Sequence, residues 1–153
     1  VQIALSEQKV QFRIGEIVLT SKLIDGTFPD YDRVVPTGNS RRGVAGRGDL
    51  TAAPDRVLTL ASERGRLVKA GFAGRVLTLT VVNPDAGEAV EELAVDYDGE
   101  DLTIGFNCRY LLDILAQVAG DTVAFSLESP GDPAVIEDAV AAGALFVLMP
   151  MRV

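Results

Sequence analysis

The stretch Leu102-Thr103-Ile104-Gly105-Phe106-Asn107-Cys108-Arg109-Tyr110-Leu111-Leu112-Asp113-Ile114-Leu115-Ala116-Gln117-Val118 decides the fold. Leu102 to Phe106 carries the β-branched and aromatic residues of a strand. Asn107 then supplies a side-chain oxygen suited to a helix N-cap. From there Tyr110, Leu111, Ile114, Leu115 and Val118 recur at helical spacing, so Cys108 to Val118 is expected to be a helix with one apolar stripe, ended by Gly120-Asp121. A strand passing directly into such a helix needs a sheet on which to bury the stripe, which points to the α+β class.

The same alternation of elements extends in both directions. Upstream, Glu92 to Tyr97 reads as the strand preceding Leu102 to Phe106, with Asp98-Gly99 as the turn of a hairpin. Asn83 to Glu88 is a loop. Leu67 to Phe72 and Arg75 to Val82 form a second hairpin around Ala73-Gly74. Before it, Val57, Leu58, Leu60 and Ala61 give a first amphipathic helix. Pro54 belongs in its first turn, which makes Thr51 the expected N-cap. Residues Thr37 to Gly48 turn to Gly, Arg, Ser and Asn and read as a boundary or exposed connector. Further upstream, Val1 to Leu23 alternates in the β manner, with Val10, Phe12 and Ile14 on one face and a turn at Gly15. Downstream, strands are expected at Val123 to Glu128, Ala134 to Asp138 and Ala144 to Met149. Two helices therefore pack on a largely antiparallel sheet. The repeated order of helix then strands hints at internal pseudo-symmetry without a sequence repeat.

At 153 residues, 48% of them hydrophobic, the chain can bury one full core and a fragment of another. No apolar run is long enough to span a membrane. The pattern starts directly in a strand, with neither an initiator methionine nor a signal region, so a piece of a longer protein is expected. Cys108 is the single cysteine, which fits a reducing cytoplasm. With no histidine, zinc sites and Ser-His or Cys-His catalysis are excluded. The net charge of −8 conceals two opposed regions. Thr37 to Arg75 holds eight basic and three acidic residues, whereas Asn83 to Asp101 holds eight acidic and none basic.

Those regions define the candidate surfaces. Glu88, Glu91, Glu92, Asp96 and Asp98 follow no ligand spacing for a divalent cation and read as a solvated or partner-facing acidic surface. Arg41, Arg42, Arg47 and Arg56 lie in or beside the first helix, and Arg109 opens the second. On one face of the sheet they would make a positive surface that touches phosphates without reading sequence; the other reading is a connector kept soluble by arginine. The terminal Met149-Pro150-Met151-Arg152 ends a strand at a sheet edge, because proline cannot donate to a ladder. Its methionines either complete the core or grip an apolar peptide.

Four motifs together resemble the bacterial sliding clamps, the β subunit of DNA polymerase III. They are Thr20-Ser21-Lys22-Leu23-Ile24-Asp25-Gly26-Thr27-Phe28-Pro29-Asp30-Tyr31, Gly105-Phe106-Asn107 with Tyr110-Leu111-Leu112-Asp113, Ile136-Glu137-Asp138, and the terminal Met149-Pro150-Met151-Arg152. The resemblance covers the whole chain. It implies that residues 1–36 are the last strands of the family's middle domain and residues 37–153 its C-terminal domain. It further implies a non-enzymatic processivity factor without cofactor or metal, cytoplasmic, whose protomers close head to tail as a dimeric ring around duplex DNA.

In that family helices line the channel, which would make Arg41, Arg42, Arg47, Arg56 and Arg109 DNA-facing. A hydrophobic cleft receives short linear peptides from the replicative polymerase α subunit, the clamp loader and repair polymerases. Position by position, its share here would be Pro29, Arg33, Val34, Asn107, Tyr110, Val147, Met149, Pro150, Met151 and Arg152. The subunit interface would use Leu60, Ala61, Glu88, Glu91 and Glu92, although Leu60-Ala61 is smaller than the family's pair of large aliphatics. The alternative is a stand-alone peptide-binding domain that never encircles DNA.

Overall fold

A computed structural model describes residues 1–60, 66–141 and 143–153. The chain divides into two units, Val1–Tyr31 and Asp32–Val153, ahead of the composition change at Thr37. In the first unit the alternation becomes an antiparallel meander of β1 (Gln2–Leu5), β2 (Lys9–Ile14) and β3 (Ile17–Lys22). Its register stacks Ile3, Phe12 and Leu19 on one face. Gln11 donates to Thr20 Oγ1 at 3.2 Å on the other. A short 3-10 turn, Tyr31–Arg33, follows.

The second unit runs β4 (Arg41–Gly46), α1 (Arg47–Leu58), β5 (Leu67–Ala73), β6 (Val76–Asn83) and β7 (Gly87–Tyr97). It then repeats that order as β8 (Leu102–Asn107), α2 (Cys108–Leu115), β9 (Thr122–Leu127), β10 (Ala134–Asp138) and β11 (Leu145–Leu148). The strand order is β11-β10-β9-β4-β7-β6-β5-β8, antiparallel throughout. Each half lends its first strand to the other: β4 pairs with β9, and β8 with β5. The expected pseudo-symmetry therefore exists as topology. Its two ends are joined by an isolated bridge between Gly105 and Met151.

Both helices bury their stripes on the inner face of this sheet and against each other. Leu50, Ala53 and Val57 of α1 and Leu111 and Leu115 of α2 are buried. Phe72 of β5 joins the halves, its ring 5.3 Å from Tyr97 and 5.7 Å from Phe125. Full burial of one such side chain is worth about 1.5–3 kcal/mol, which adds to the strand pairing that joins the two halves.

Several expectations need correction. The Gly- and Arg-rich stretch is no connector: Arg41–Gly46 is β4, a strand in the middle of the sheet. Gly43 is buried against Phe72, Tyr97 and Val95, each 3.4 Å from where a Cβ would stand, so it is packed among core side chains and is no loose link. The Asp98-Gly99 hairpin does not form: β7 ends paired with β4, and the strand after it, β8, pairs with β5. Residues 87–94 pair with β6 and residues 95–97 with β4. Asp98 continues the pairing with β4, its N–H donating to Arg42 O at 3.1 Å and its Oδ1 accepting from Arg42 N–H at 2.8 Å. The chain is thus carried across to the edge of β5.

Helix α1 starts at Arg47, not after Thr51. Gly46 is its N-cap, Pro54 lies in its interior, and Thr51 Oγ1 donates to Arg47 O at 2.8 Å. Pro54 cannot donate to the carbonyl one turn back, which breaks the ladder there. The Cys108 thiol approaches Pro54 O at 3.7 Å and ties α2 to that point. Helix α2 ends at Leu115, three residues short of Val118, and Tyr110 lies outside the buried stripe with 60% of its surface exposed.

Candidate functional site

An open groove of about 670 Å³ lies between α2 and the segment after β11. Asn107, Tyr110, Asp113 and Ile114 line one side, and Val147, Leu148, Met149, Pro150 and Met151 the other. The α2 wall is set by the cap: Asn107 Oδ1 accepts from Arg109 N–H at 3.0 Å and Tyr110 N–H at 3.4 Å. That fixes the first turn and leaves Tyr110 on the outside.

The opposite wall is set by backbone pairing. Residues 145–148 pair with β10, and Leu148 turns inward and is buried. Met149 follows with 59% exposure. Pro150 has no donor with which to extend that ladder. Met151 N–H then donates to Gly105 O at 2.8 Å. The triplet thus passes from one end of the strand order to the other. An alanine Cβ at Gly105 would lie 2.6 Å from Met151 O, so only glycine allows this approach. Neither methionine completes the core: the Met151 backbone closes the sheet, and both residues line the groove.

Val147, Met149, Pro150, Met151, Asn107 and Tyr110 are therefore brought together. Arg33 and Val34 are exposed and do not line the groove, nor does the exposed Arg152. Pro29 belongs to the first unit. Three lining residues escaped the sequence reading: Asp113, Ile114 and Leu148. Asp113 and Ile114 stand three and four positions after Tyr110, the spacing that puts them on its helix face. A cavity of similar size on the first unit is walled by Glu7, Lys22, Asp25 and their neighbours and carries no aromatic side chain.

The five arginines are not all on one face. Arg41 and Arg42 are successive strand residues and so face opposite sides of the sheet. Arg41 lies 3.6 Å from Glu100 and Arg42 3.6 Å from Glu137. Arg47 donates from Nε to Gly120 O at 2.7 Å, beside Gly120 N–H donating to Asp138 at 2.8 Å. Asp138 also accepts from Val140 and Ala141 N–H, and these backbone donors hold its carboxyl below the usual range. Arg56 binds Glu91 through two hydrogen bonds of 2.9 and 2.8 Å. That pairing lowers the Glu91 pKa and raises that of Arg56. One ion pair thus holds two residues expected in different roles, DNA-facing and interface. Arg109 is exposed on α2.

Among the interface candidates, Glu88 and Glu92 are exposed on β7, Leu60 is half-buried, and Ala61 lies outside the described residues. Among the described residues no group of three or more His, Cys, Asp or Glu side chains is arranged to hold a metal ion. No helix among them is long and apolar enough to cross a membrane.

An α+β unit built twice from a strand, a helix and three strands, with an apolar groove at its closing edge, has close counterparts among known proteins. The pattern of the DNA polymerase III beta subunit, C-terminal domain, matches residues 32–152. The beta sliding clamp of Caulobacter vibrioides is 47% identical over 153 residues, covering all of this chain and 41% of that protein. That of Pseudomonas aeruginosa is 38% identical over 152 residues, covering 99% and 41%. A Bartonella birtlesii sliding clamp solved with griselimycin superposes with a TM-score of 0.95 at 50% identity, covering 99% of this chain and 41% of that one. The chain belongs to the DNA polymerase III beta subunit family, the beta sliding clamps. It spans about 41% of the length of the curated relatives it matches.

Proposed function

We propose that this chain serves as the C-terminal part of a DNA sliding clamp. In this reading two protomers close head to tail around duplex DNA and hold the replicative polymerase there by topology. The clamp performs no chemistry of its own. Residues 1–36 supply the last strands of a middle domain and residues 37–153 the C-terminal domain, in the cytoplasm. The observation that carries the reading is the groove between α2 and the Met-Pro-Met terminus. Its apolar wall suits the aliphatic and aromatic anchors of short peptides, from the polymerase α subunit, the clamp loader and repair polymerases, and methionines adapt to differing sequences. Arg33, Val34 and Arg152 lie outside its lining and are proposed to contact a peptide that extends past it.

The other surfaces support the same reading. Residues 87–94 of β7 pair on one side with β6 and, among the described residues, with no strand on the other. An edge of this kind, bearing Glu88 and Glu92, suits a subunit contact, for which Leu60, Ala61 and Glu91 are the other residues proposed. The helix-borne Arg47, Arg56 and Arg109 are the better candidates to face DNA, with Arg41 and Arg42 as strand-borne additions. An acidic molecule with a local basic surface keeps such contacts weak and salt-sensitive, as sliding requires.

The test is the double variant Met149→Ala/Met151→Ala. It should weaken binding of a polymerase-derived peptide at least tenfold while the circular dichroism spectrum is retained, and full binding by that variant rules the groove out. A stand-alone peptide-binding domain is the second reading, because the groove is lined by second-unit residues alone. Small-angle scattering of the longer gene product separates the two: a ring-sized dimer supports the clamp, a strict monomer the alternative.

A further inference from the structure

The α2 wall of the groove carries two polar side chains with opposite hydrogen-bonding capacity. Asn107 Oδ1 is occupied by the cap bonds from Arg109 and Tyr110, which leaves its amide NH2 to donate. Asp113, further along the same wall, carries a carboxylate that only accepts. It is exposed, and among the described residues it has neither an ion pair nor a hydrogen bond. Arg109 stands one turn before it on α2, yet no ion pair joins them among the described residues. No Lys or Arg lines the groove. At ~1.5 Å per helical residue the two polar positions are about 9 Å apart along the axis. An extended chain covers that distance in about three residues at ~3.3 Å each.

We infer that the groove selects extended segments in which apolar anchors are combined with a Lys or Arg side chain opposite Asp113. That side chain lies about three residues from the one whose carbonyl accepts from Asn107. This inference rests on the groove being the peptide site, and adds the charge a preferred partner carries. The net charge of −8 attracts any cation, so the local contribution has to be separated from the general field.

The experiment uses fluorescence anisotropy with three labelled peptides, identical except for Lys, Gln or Glu at the position opposite Asp113. On the 153-residue chain the Lys peptide should bind about two- to fivefold more tightly than the Gln peptide, the range of an exposed ion pair. The difference should shrink at 0.5 M salt. Asp113→Asn should remove most of the Lys preference, leaving only the part the remaining net charge supplies, with a retained circular dichroism spectrum reporting an intact fold. A Lys preference that persists undiminished in Asp113→Asn overturns the inference and assigns the effect to net charge. Equal binding of Lys and Glu peptides to the parent chain overturns it too. Undiminished binding of all three peptides to Met149→Ala/Met151→Ala is a separate failure, that of the groove itself.

Discussion

Replacing Gly105 by alanine should uncouple the terminal segment from the rest of the fold. The added methyl would sit 2.6 Å from Met151 O, 2.7 Å from Val153 Cγ1 and 2.8 Å from Leu67 Cδ1. The first of these is backbone and cannot rotate away, so one partner must move. Strand β8 is registered against β5 from Leu67↔Asn107 to Phe72↔Leu102, whereas the terminal segment is held to β8 by the single Met151 bridge. The terminus is the weaker partner and should yield. The cost is one backbone hydrogen bond, about 1 kcal/mol net, with a smaller contribution from Met151, already 37% exposed. At about 2–4 °C per kcal/mol for a chain of this size, Tm should fall by only a few degrees. Peptide binding should suffer more, because Met149, Pro150 and Met151 form one wall of the groove. A loss of tenfold or more, about 1.4 kcal/mol, is expected. Calorimetry and peptide anisotropy on the same samples decide the matter. Parent-like affinity refutes the reasoning, and so does a collapse of the whole fold.

Three further outcomes follow from other contacts. Asn107→Ala removes the acceptor that caps α2 and should lower unfolding stability by about 1 kcal/mol in urea titrations. Burial pushes the Cys108 thiol up to about 11, so at pH 8 a thiol reagent should label the native chain only as fast as it opens, and at once in denaturant. The folded Asp138 carboxyl titrates below its ordinary value because of its backbone donors, so its stabilisation is present above the ordinary carboxylate range and is lost as pH falls through the folded value. Thermal melts of the parent and Asp138→Asn should therefore differ at pH 7 and converge in acid; a gap that stays constant down to the lowest pH at which both fold refutes that role.

Local chemistry wrote several features directly into the sequence. Asn107 caps α2 because a side-chain acceptor must meet donors within its own first turn, and the stripe at Leu111, Leu115 and Val118 is buried as its spacing requires. The motif residues of the terminus were legible for the same reason, since a Met-Pro-Met triplet cannot continue a ladder. What depended on distant partners was not legible. Thr37 to Gly48 looked like a connector because the rings that Gly43 accommodates, Phe72 and Tyr97, are remote in sequence. Asp98-Gly99 carried a sound turn signal, yet β7 ends paired with β4 and the following strand pairs with the remote β5.

The sequence by itself determined the class of the fold, the presence of two helices, the cap of the second and the apolar character of the terminus, because each follows from spacing, capping and the missing donor of a proline. Only the tertiary structure decided which side chains share a surface. It turned Tyr110 outward beside Met149 and Met151, joined Arg56 to Glu91, and added Asp113 to the groove. The physical reason is that strand pairing joins residues remote in sequence, as in the closing bridge from Met151 to Gly105, and no local spacing or capping rule encodes which edges meet.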